Sequence, residues 1–377
     1  MIFMTTIQHQ PKLITIVTAL TAAVVFTSPV GAATREYTRI DHRIGLRDIN
    51  NHNQGTGGDV FWRDGVVTHL GSLSGPSHFT RASAISDAGH VAGLSLDYGR
   101  GFIVTPEDTN GDGVPDRWHR DSDGNGINDL MIDLGAFHPL GGSEAADVNI
   151  FGQVVGWSDG SSATTPSPDR RGFVWNNGVM TDLGPATSWA SAINDHGQVV
   201  GGHRDGAFLI NPEDSDGNGI PDRWYRDADN NGSNDLMTII DGGWAVDVNE
   251  RGQVLSQVQS YVSLWTPHTP NGTTGSTVGP DSYDLIAVGI NNVGQVIAWI
   301  PGDFANQGVL WEGGAFVDII PSQSFDYIPE LYAINDAGWI VAEYGNLLIP
   351  AAVPEPGPMS LSMLAAPMLI RRRKRRA

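Results

Sequence analysis

Two acidic segments of this chain carry oxygen-bearing side chains at a spacing that suits metal binding. Residues 108–129 read DTNGDGVPDRWHRDSDGNGIND, and residues 214–235 read DSDGNGIPDRWYRDADNNGSND. Each segment contains two copies of the pattern D-x-[DN]-x-[DN]-G-x-x-D, offset by 13 residues. Ca²⁺ takes six to eight hard oxygen ligands, and alternate residues of a tight turn can direct theirs to one centre. The two segments therefore predict four calcium-binding loops.

In each loop the expected ligands are the side chains at positions 1, 3, 5 and 9 and the backbone carbonyl at position 7, while Gly at position 6 permits the sharp bend. In the first segment they are Asp108, Asn110, Asp112, Val114 and Asp116, followed by Asp121, Asp123, Asn125, Ile127 and Asp129. In the second segment they are Asp214, Asp216, Asn218, Ile220 and Asp222, followed by Asp227, Asp229, Asn231, Ser233 and Asp235. The alternative is that all four are solvated acidic loops without metal.

These loops resemble thrombospondin type 3 calcium repeats and the related EF-hand loop. They depart from the EF-hand at position 12, where Glu is replaced by His119, Ile132, Tyr225 and Thr238. Without that Glu, water or a neighbouring loop would have to complete the ligand set. The cysteines of the thrombospondin version are absent as well. Because carboxylates crowd each segment, we expect the segments to be disordered without calcium and ordered with it.

Each segment also contains one tryptophan, Trp118 or Trp224, at the centre of DRW(H/Y)RD. We expect these two side chains to form a small apolar core for each calcium module. The alternative is that they are exposed and stack on a glycan. The insertions span residues 107–129 and 213–235, and both fall between the third and fourth strands of a repeat unit, so we expect them to project from one rim of the fold.

The elements that position these insertions are repeats. An Ile/Val–Asn step (once Ile–Ser), two variable residues, Gly and an apolar run recur along the chain, which is typical of stacked supersecondary modules. The copies are ISDAGHVAG at 85–93, VNIFGQVVG at 148–156, INDHGQVVG at 193–201, VNERGQVLS at 248–256, INNVGQVIA at 290–298 and INDAGWIVA at 334–342. This text, followed by an aromatic strand and Asp-Leu-Gly, looks like the extracellular HAF-repeat family, which implies a secreted or surface location and little established chemistry.

Short runs rich in Val, Ile, Trp and Phe, separated by Gly, Asn, Asp and Pro, predict strands joined by hairpins. Asp64–Gly65 and Asn177–Gly178 are two-residue turns of the type that needs positive φ at both positions. The third strand of each unit is predicted at 60–65, 101–108, 172–178, 206–214, 262–267, 308–314 and 346–350. About four strands in each unit of roughly 40 residues fit the blades of a β-propeller.

We therefore predict an all-β fold over residues 34–352, a β-propeller with seven blades. Seven third strands have only six clear fourth strands after them, so the piece from Tyr37 to Ile44 is expected to supply the last one and close the ring. Six blades remain an alternative because the unit that begins at Ile49 is degenerate. An open β-solenoid is a second alternative.

Two further residue types recur with the repeat. The Asn of the phrase could be a repeated ligand-binding residue, but turn chemistry explains it better, because Asn bonds its own backbone and Gly takes the left-handed conformation. The third-strand tryptophans are interpreted as wedges between blades. The Asn residues are Asn149, Asn194, Asn249, Asn291 and Asn335, and the tryptophans include Trp175, Trp265 and Trp311.

The two ends of the chain predict export. Residues 1–33 resemble a signal peptide, with Lys12 before the apolar run 13–26 and small residues up to Ala33; a membrane anchor is the alternative. Residues 353–377 contain Pro354, Glu355 and Pro356, an apolar segment and a basic end. This order resembles the PEP-CTERM sorting signal, which implies processing by an exosortase; the alternative is a disordered basic tail after a Pro-rich linker.

Charge and composition narrow the function. Without the basic residue of the first segment and the six basic and one acidic residues of the last, 15 basic and 41 acidic residues remain, a net charge of about −26. Such a field repels nucleic acid and anionic membranes and attracts divalent cations. The chain has no Cys, so disulfides and thiolate metal sites are excluded.

Three functions fit these features. The first is a non-catalytic, calcium-stabilised interaction scaffold at the cell surface or in the extracellular matrix, with exopolysaccharide or surface proteins as partners. The second is calcium-dependent carbohydrate binding. The third, a secreted polysaccharide hydrolase or lyase, is the weakest, because no Gly-x-Ser-x-Gly, His-Glu-x-x-His or Walker sequence occurs.

Overall fold

A computed structural model describes most of the chain between residues 34 and 351. The described ranges are 34–41, 44–75, 79–97, 99–160, 170–184, 187–279, 284–302, 306–321 and 330–351. The expected signal peptide with Ala33, and the expected sorting signal with Pro354, Glu355 and Pro356, lie outside these ranges. Within them no helix is both long and apolar enough to cross a membrane.

The described residues form seven four-stranded antiparallel sheets arranged in a ring, a seven-bladed β-propeller. Blade 1 contains β2 (Asp48–Ile49), β3 (Gly55–Gly57), β4 (Val60–Arg63) and β5 (Val66–His69). Blade 2 contains β6 (Thr80–Ile85), β7 (Val91–Ser95), β8 (Arg100–Val104) and β9 (Met131–Asp133). Blade 3 contains β10 (Ser143–Val148), β11 (Val154–Asp159), β12 (Arg170–Asn176) and β13 (Val179–Asp182).

The remaining blades repeat this plan. Blade 4 contains β14 (Thr187–Ile193), β15 (Val199–His203), β16 (Gly206–Ile210) and β17 (Met237–Asp241). Blade 5 contains β18 (Trp244–Val248), β19 (Val254–Val258), β20 (Tyr261–Pro267) and β21 (Gly275–Val278). Blade 6 contains β22 (Ile286–Ile290), β23 (Val296–Ile300), β24 (Gln307–Glu312) and β25 (Ala315–Pro321). Blade 7 contains β26 (Leu331–Ile334), β27 (Ile340–Ala342), β28 (Asn346–Pro350) and the first strand of the chain, β1 (Thr34–Asp41).

The ring closes through β1, as the sequence predicted, although the strand begins three residues earlier than expected. It pairs antiparallel with β28, from Tyr37 opposite Pro350 to Asp41 opposite Asn346. It also pairs parallel with β25, so that blades 6 and 7 share one eight-stranded sheet. The seven-blade prediction is therefore confirmed, and the six-blade and solenoid alternatives are wrong. Because β1 has partners on both sides, neither β25 nor β28 is left as an open edge.

The local turn predictions are confirmed. Both residues of the hairpins at Asp64–Gly65 and Asn177–Gly178 have positive φ, between 48° and 88°. Each repeat phrase ends the first strand of a blade, and its Gly has a φ between 71° and 89°. The Asn of the phrase accepts the backbone N–H groups of its own turn; Asn149 Oδ1, for example, accepts from Phe151 and Gln153, each at 3.1 Å.

The same Asn also connects neighbouring blades, which the sequence did not predict. Its Nδ2 donates to the backbone carbonyl at the corresponding position of the next blade, at 2.9 to 3.1 Å. Six of the seven contacts between blades have this bond. The exception lies between blades 2 and 3, where Ser86 stands in place of Asn and has no amide to donate. The donors are Asn50, Asn149, Asn194, Asn249, Asn291 and Asn335.

Apolar clusters fill the contact between each pair of neighbouring blades, which we call a joint. One residue of each third strand, opposite the first residue of the second strand, packs into the joint with the preceding blade. In four blades this residue is a buried tryptophan, which confirms the predicted wedges: Trp62, Trp175, Trp265 and Trp311. In blades 2, 4 and 7 it is aliphatic: Val104, Ile210 and Leu348.

Candidate calcium-binding insertions

The two insertions occupy the predicted places in the chain, between β8 and β9 in blade 2 and between β16 and β17 in blade 4. Each is tied at its base by an isolated bridge, Glu107 with Arg117 and Glu213 with Arg223. In both of these blades the third strand has an aliphatic residue, Val104 or Ile210, at the position where four other blades have tryptophan.

The tryptophan of each insertion occupies the joint beside that aliphatic residue. Trp118 is 2% exposed and stacks on Phe61 of blade 1, with ring centroids 3.7 Å apart. Its indole Nε1 donates to Gly89 O at 2.8 Å. Trp224 is 1% exposed between blades 3 and 4, and its Nε1 donates to Gly197 O at 2.8 Å. Each insertion thus supplies a tryptophan to a joint whose third strand has an aliphatic residue at the position that tryptophan holds in four other blades.

These positions correct two expectations. The tryptophans are not the core of a separate calcium module, since they belong to the apolar clusters of joints 1/2 and 3/4. They cannot stack on a glycan, because their rings are buried and their indole N–H groups are occupied. The buried indole anchors each insertion to the preceding blade, while most residues of the acidic loops are exposed. The expectation that the insertions project from one rim stays a prediction.

Further polar contacts hold each insertion against the preceding blade. Asn128 Nδ2 donates to Leu70 O of blade 1 at 2.7 Å and to Trp118 O at 2.9 Å. Asn234 makes the same pair of bonds in the second insertion, to Leu183 O of blade 3 at 3.3 Å and to Trp224 O at 2.8 Å. Both Asn side chains are buried, so these bonds fix the path of the segment.

The four predicted loops share one set of internal hydrogen bonds. The carboxylate at position 1 accepts the N–H of the Gly at position 6, at 2.7 to 2.9 Å. The side-chain oxygen at position 5 accepts the N–H of position 7, at 2.7 or 2.8 Å. The carboxylate at position 9 accepts the N–H of position 2, at 2.9 to 3.1 Å. The Gly at position 6 has a φ between 81° and 89° in every loop.

These bonds favour the ionised carboxylates. The backbone N–H of Gly113 holds the pKa of Asp108 below its usual range, and that of Gly219 does the same for Asp214. At position 9, the hydroxyl of Ser122 lowers the pKa of Asp129, and that of Ser215 lowers the pKa of Asp222. At neutral pH these groups are therefore anions.

Few cations neutralise this charge. Among the residues that the structure describes, the only ion pairs of the expected ligands are Arg120 with Asp129 at 3.3 Å and Arg226 with Asp235 at 3.5 Å. Both arginines also pair with the glutamate at the base of their insertion, Glu107 or Glu213. Ten of the twelve side-chain carboxylates at ligand positions thus have no cationic partner in the described part of the chain.

The donor set fits calcium chemically. Each loop provides only oxygen ligands, from carboxylates, an amide and a carbonyl, and each carboxylate oxygen that accepts one N–H keeps a second lone pair. Within the described ranges, however, no three His, Asp or Glu side chains converge in a group that could hold a metal ion. The carboxylates are turned towards backbone amides, and Asn and carbonyl oxygens make up the rest of each set.

One group of charged residues was missed by the sequence analysis. Asp48, Asp147 and Asp247 lie in the wall of the central channel, each one residue before the Ile/Val–Asn step. One oxygen of each accepts the next N–H of its own strand, and the other accepts an N–H of the following blade, all at 2.8 Å. They span joints 1/2, 3/4 and 5/6. The signal was present in the sequence, since the other blades have Ala or Gly at this position.

Burial dominates the ionisation of these three groups. It raises the pKa of Asp48 to about 7 and raises the pKa of Asp147 and of Asp247, although both accept two backbone N–H groups. The three side chains are partly open to the narrow channel. The surrounding protein atoms nevertheless disfavour the charged form more than this contact with water favours it. The three carboxyls therefore connect blades.

No family model and no curated protein matches the chain. Similar solved structures include a chain in the crystal structure of the mitotic checkpoint complex, with 12% identity over 87% of this chain and 98% of that chain and a TM-score of 0.38. The structure of the Dos1 propeller is 11% identical over 85% of this chain and 81% of that chain, with a TM-score of 0.43. Neither similarity bears on what this chain binds.

Proposed function

We propose that the chain is an exported surface or extracellular-matrix protein, a non-catalytic interaction scaffold that calcium stabilises. One observation carries the proposal: the acidic loops are continuous with Trp118 and Trp224, which fill two joints of the ring. Ordering of the loops is therefore coupled to packing between blades. The family resemblance of the repeats and the two terminal segments support the location.

The residues that would hold calcium are the ligands of the four loops, from Asp108 to Asp129 and from Asp214 to Asp235. Bound calcium would neutralise adjacent carboxylates that otherwise repel one another. The chain itself contributes the turn geometry, since the N–H groups at positions 6 and 7 already hold the oxygens of positions 1 and 5. Arg120 and Arg226 anchor the position 9 carboxylate of the second loop in each insertion.

A structural role for the channel carboxylates supports the non-catalytic part of the proposal. Asp48, Asp147 and Asp247 each accept backbone N–H groups of two neighbouring blades, one on each oxygen, so their geometry fits a role in holding blades together. A turnover assay on a polysaccharide panel checks this, and measurable hydrolysis or elimination would contradict it.

The test of calcium stabilisation is a titration of the chelated protein. We expect calcium to change the near-ultraviolet circular dichroism, because Trp118 and Trp224 lie in rigid joints only when the insertions are ordered. Asp108→Ala together with Asp214→Ala should reduce the calorimetric heat of binding. Asp64→Ala, in a hairpin without a predicted loop, should leave it unchanged. An unchanged spectrum and no heat at millimolar calcium would sink the proposal.

The location is tested by fractionation. We expect a product cleaved near Ala33 in the exported fraction, and retention of the chain in the membrane when Pro354, Glu355 and Pro356 are all replaced by Ala, because an exosortase-type enzyme could no longer process the tail. If the triple variant were distributed like the wild type, the sorting part of the proposal would fail.

Carbohydrate binding is a second candidate function. The aromatic residues that could carry it are not Trp118 and Trp224, which the sequence suggested, but two exposed tryptophans. Trp189 is the third residue of β14 in blade 4 and Trp244 is the first residue of β18 in blade 5, and they are 38% and 43% exposed. Exposed aromatic rings suit stacking on apolar faces of sugars. A glycan array with the wild type and with Trp189→Ala/Trp244→Ala tests this candidate, and equal binding by both proteins would remove it.

A further inference from the structure

Joint 3/4 contains a cleft of about 340 Å³ that the scaffold proposal leaves unexplained. It lies between the hairpin joining β15 to β16 and the fourth acidic loop. Met237 and Ile239 of β17 contribute apolar surface, while His203 and Asp205 of the hairpin contribute polar groups. Its volume is at the lower end of the range for ligand sites, which is roughly 300–1,000 Å³.

Joint 1/2 has the same architecture with a longer connection between the blades. In joint 3/4 two residues separate Gly184 from Thr187, whereas eight residues separate Gly71 from Thr80 in joint 1/2. The ends correspond, since the threonine hydroxyl donates to the glycine carbonyl in both, at 2.6 Å and 2.9 Å. The connections of the two joints therefore differ in length by six residues.

The longer connection occupies the corresponding space in joint 1/2. Leu73 packs against the apolar cluster of that joint. Ser72 O accepts the Asn128 N–H of the first insertion at 3.4 Å. Ser74 Oγ donates to Asp97 Oδ2 at 3.3 Å. A five-residue piece, Gly-Ser-Leu-Ser-Gly at 71–75, thus fills with one aliphatic and two hydroxyl side chains a space that the described residues of joint 3/4 leave open.

The groups that hold this piece have counterparts around the cleft. Asp205 corresponds to Asp97 in its hairpin. Each comes two residues after the strand residue that pairs with the threonine of the connection, His203 with Thr187 and Ser95 with Thr80. Met237 corresponds to Met131. Each pairs with the aliphatic third-strand residue that packs into its joint, Ile210 for Met237 and Val104 for Met131. Asp205 has its carboxylate largely exposed to solvent at the rim.

We propose that this cleft binds a short peptide segment of a partner protein, in which one aliphatic side chain lies between two small hydroxyl residues. The assignment rests on the proposed scaffold function and names one partner chemistry for it. The aliphatic side chain packs on Met237 and Ile239, and a hydroxyl donates to the Asp205 carboxylate. The peptide thereby takes the place that residues 71–75 take in the sister joint.

Saturation-transfer difference NMR on the full-length protein with saturating calcium tests this. The probe is the capped pentapeptide Gly-Ser-Leu-Ser-Gly, and the control peptide has Asp in place of Leu. We expect transfer to the leucine methyl groups of the probe and none to the control. Ile239→Glu, at an exposed side chain on an outer strand, should weaken binding at least about tenfold, because it places a charge against the leucine.

The matched variant is Ile132→Glu, at an exposed isoleucine on β9, the outer strand of blade 2, and it should bind the peptide like the wild type. Asp205→Ala should weaken binding by less than Ile239→Glu, since one hydrogen bond is lost. Equal binding by the wild type and Ile239→Glu overturns the proposal. The proposal is also overturned if saturation transfer reaches a monosaccharide of a test panel but not the peptide, and if Ile239→Glu abolishes that transfer. Calcium binding by calorimetry on the same samples separates failure of this site from failure of the scaffold proposal.

Discussion

The acidic loops and the insertion tryptophans are held by different kinds of contact, local in the loops and between blades for Trp118 and Trp224. The internal bonds of the acidic loops join residues at most seven positions apart, so the spacing of Asp, Asn and Gly predicts them directly. The place of Trp118 depends on Phe61 and Val104, which only the fold brings together. A signal was available nevertheless. Aligning the third strands shows tryptophan missing in blades 2, 4 and 7, and two of these three blades, 2 and 4, carry an insertion.

The buried indoles should contribute strongly to stability. Trp118→Ala and Trp224→Ala should each lower the free energy of unfolding by about 3–5 kcal/mol, because each leaves a cavity in a joint and an unpaired carbonyl at Gly89 or Gly197. Urea unfolding with calcium present measures this. Trp244→Ala removes the same atoms from a 43% exposed site and should cost much less. Similar losses for all three variants would contradict the assigned packing.

The channel carboxyls predict an unusual pH dependence. Burial raises the pKa of Asp48 to about 7, against about 3.9 in an unfolded chain, so the folded protein binds more protons between these values. Its contribution is therefore complete below about pH 4 and declines as the pH rises to about 7. The difference in unfolding free energy between the wild type and Asp48→Asn should shrink over this range. Urea unfolding at constant calcium checks it, and a pH-independent difference would refute it.

At the level of elements, counting strands in the sequence was enough to predict the ring. The third strands lie within two residues of their predicted starts, and the unmatched last blade pointed to an N-terminal closing strand. The parallel pairing of β1 with β25 was not predictable, because no periodicity in β1 encodes its second neighbour. The path of the insertions was missed for a related reason, since polar loop composition masks the one apolar residue that determines where they lie.

Closure by β1 can be tested by adding the strand separately. A chain beginning at residue 44 should lose stability and associate, because β25 and β28 then expose unpaired N–H and C=O groups. The peptide Thr-Arg-Glu-Tyr-Thr-Arg-Ile-Asp, residues 34–41, should restore the monomer and raise the melting temperature. A scrambled peptide is the control, and size-exclusion chromatography is the measurement. Rescue by both peptides, or by neither, would argue against specific pairing.

For the whole molecule, the seven joints are alike in plan and unequal in detail. Six have the Asn bond to the next blade, three have a channel carboxyl, and two have an insertion with its tryptophan. Joint 2/3 has none of these. It has Ser86 in place of Asn and His90 in place of the Gln that usually pairs with it. Within the described structure this joint is held by its apolar cluster together with other contacts, among them the ion pair of Arg81 with Glu144 at 2.6 Å and the bond from Gly101 N to Ser143 Oγ at 3.0 Å.

Completing the series at joint 2/3 should stabilise the ring. Ser86→Asn together with His90→Gln provides the amide that elsewhere donates to the next blade, and should raise the free energy of unfolding by about 0.5–1.5 kcal/mol. Asn149→Ser, which removes the equivalent bond from joint 3/4, should lower it by a similar amount. Urea unfolding compares the three proteins. A stabilising Asn149→Ser would show that these bonds do not hold the blades together.

The strand that closes the circle is synthesised first, and both of its neighbours are synthesised almost last. Some 280 to 310 residues separate Thr34 from Asp318 and Arg39 from Leu348. A growing polypeptide therefore cannot complete this sheet until residues up to Pro350 have left the ribosome. For the export proposed above, such a delay would keep the nascent chain unlocked while it is threaded through a secretion pore, and would leave the last folding step to the far side of the membrane.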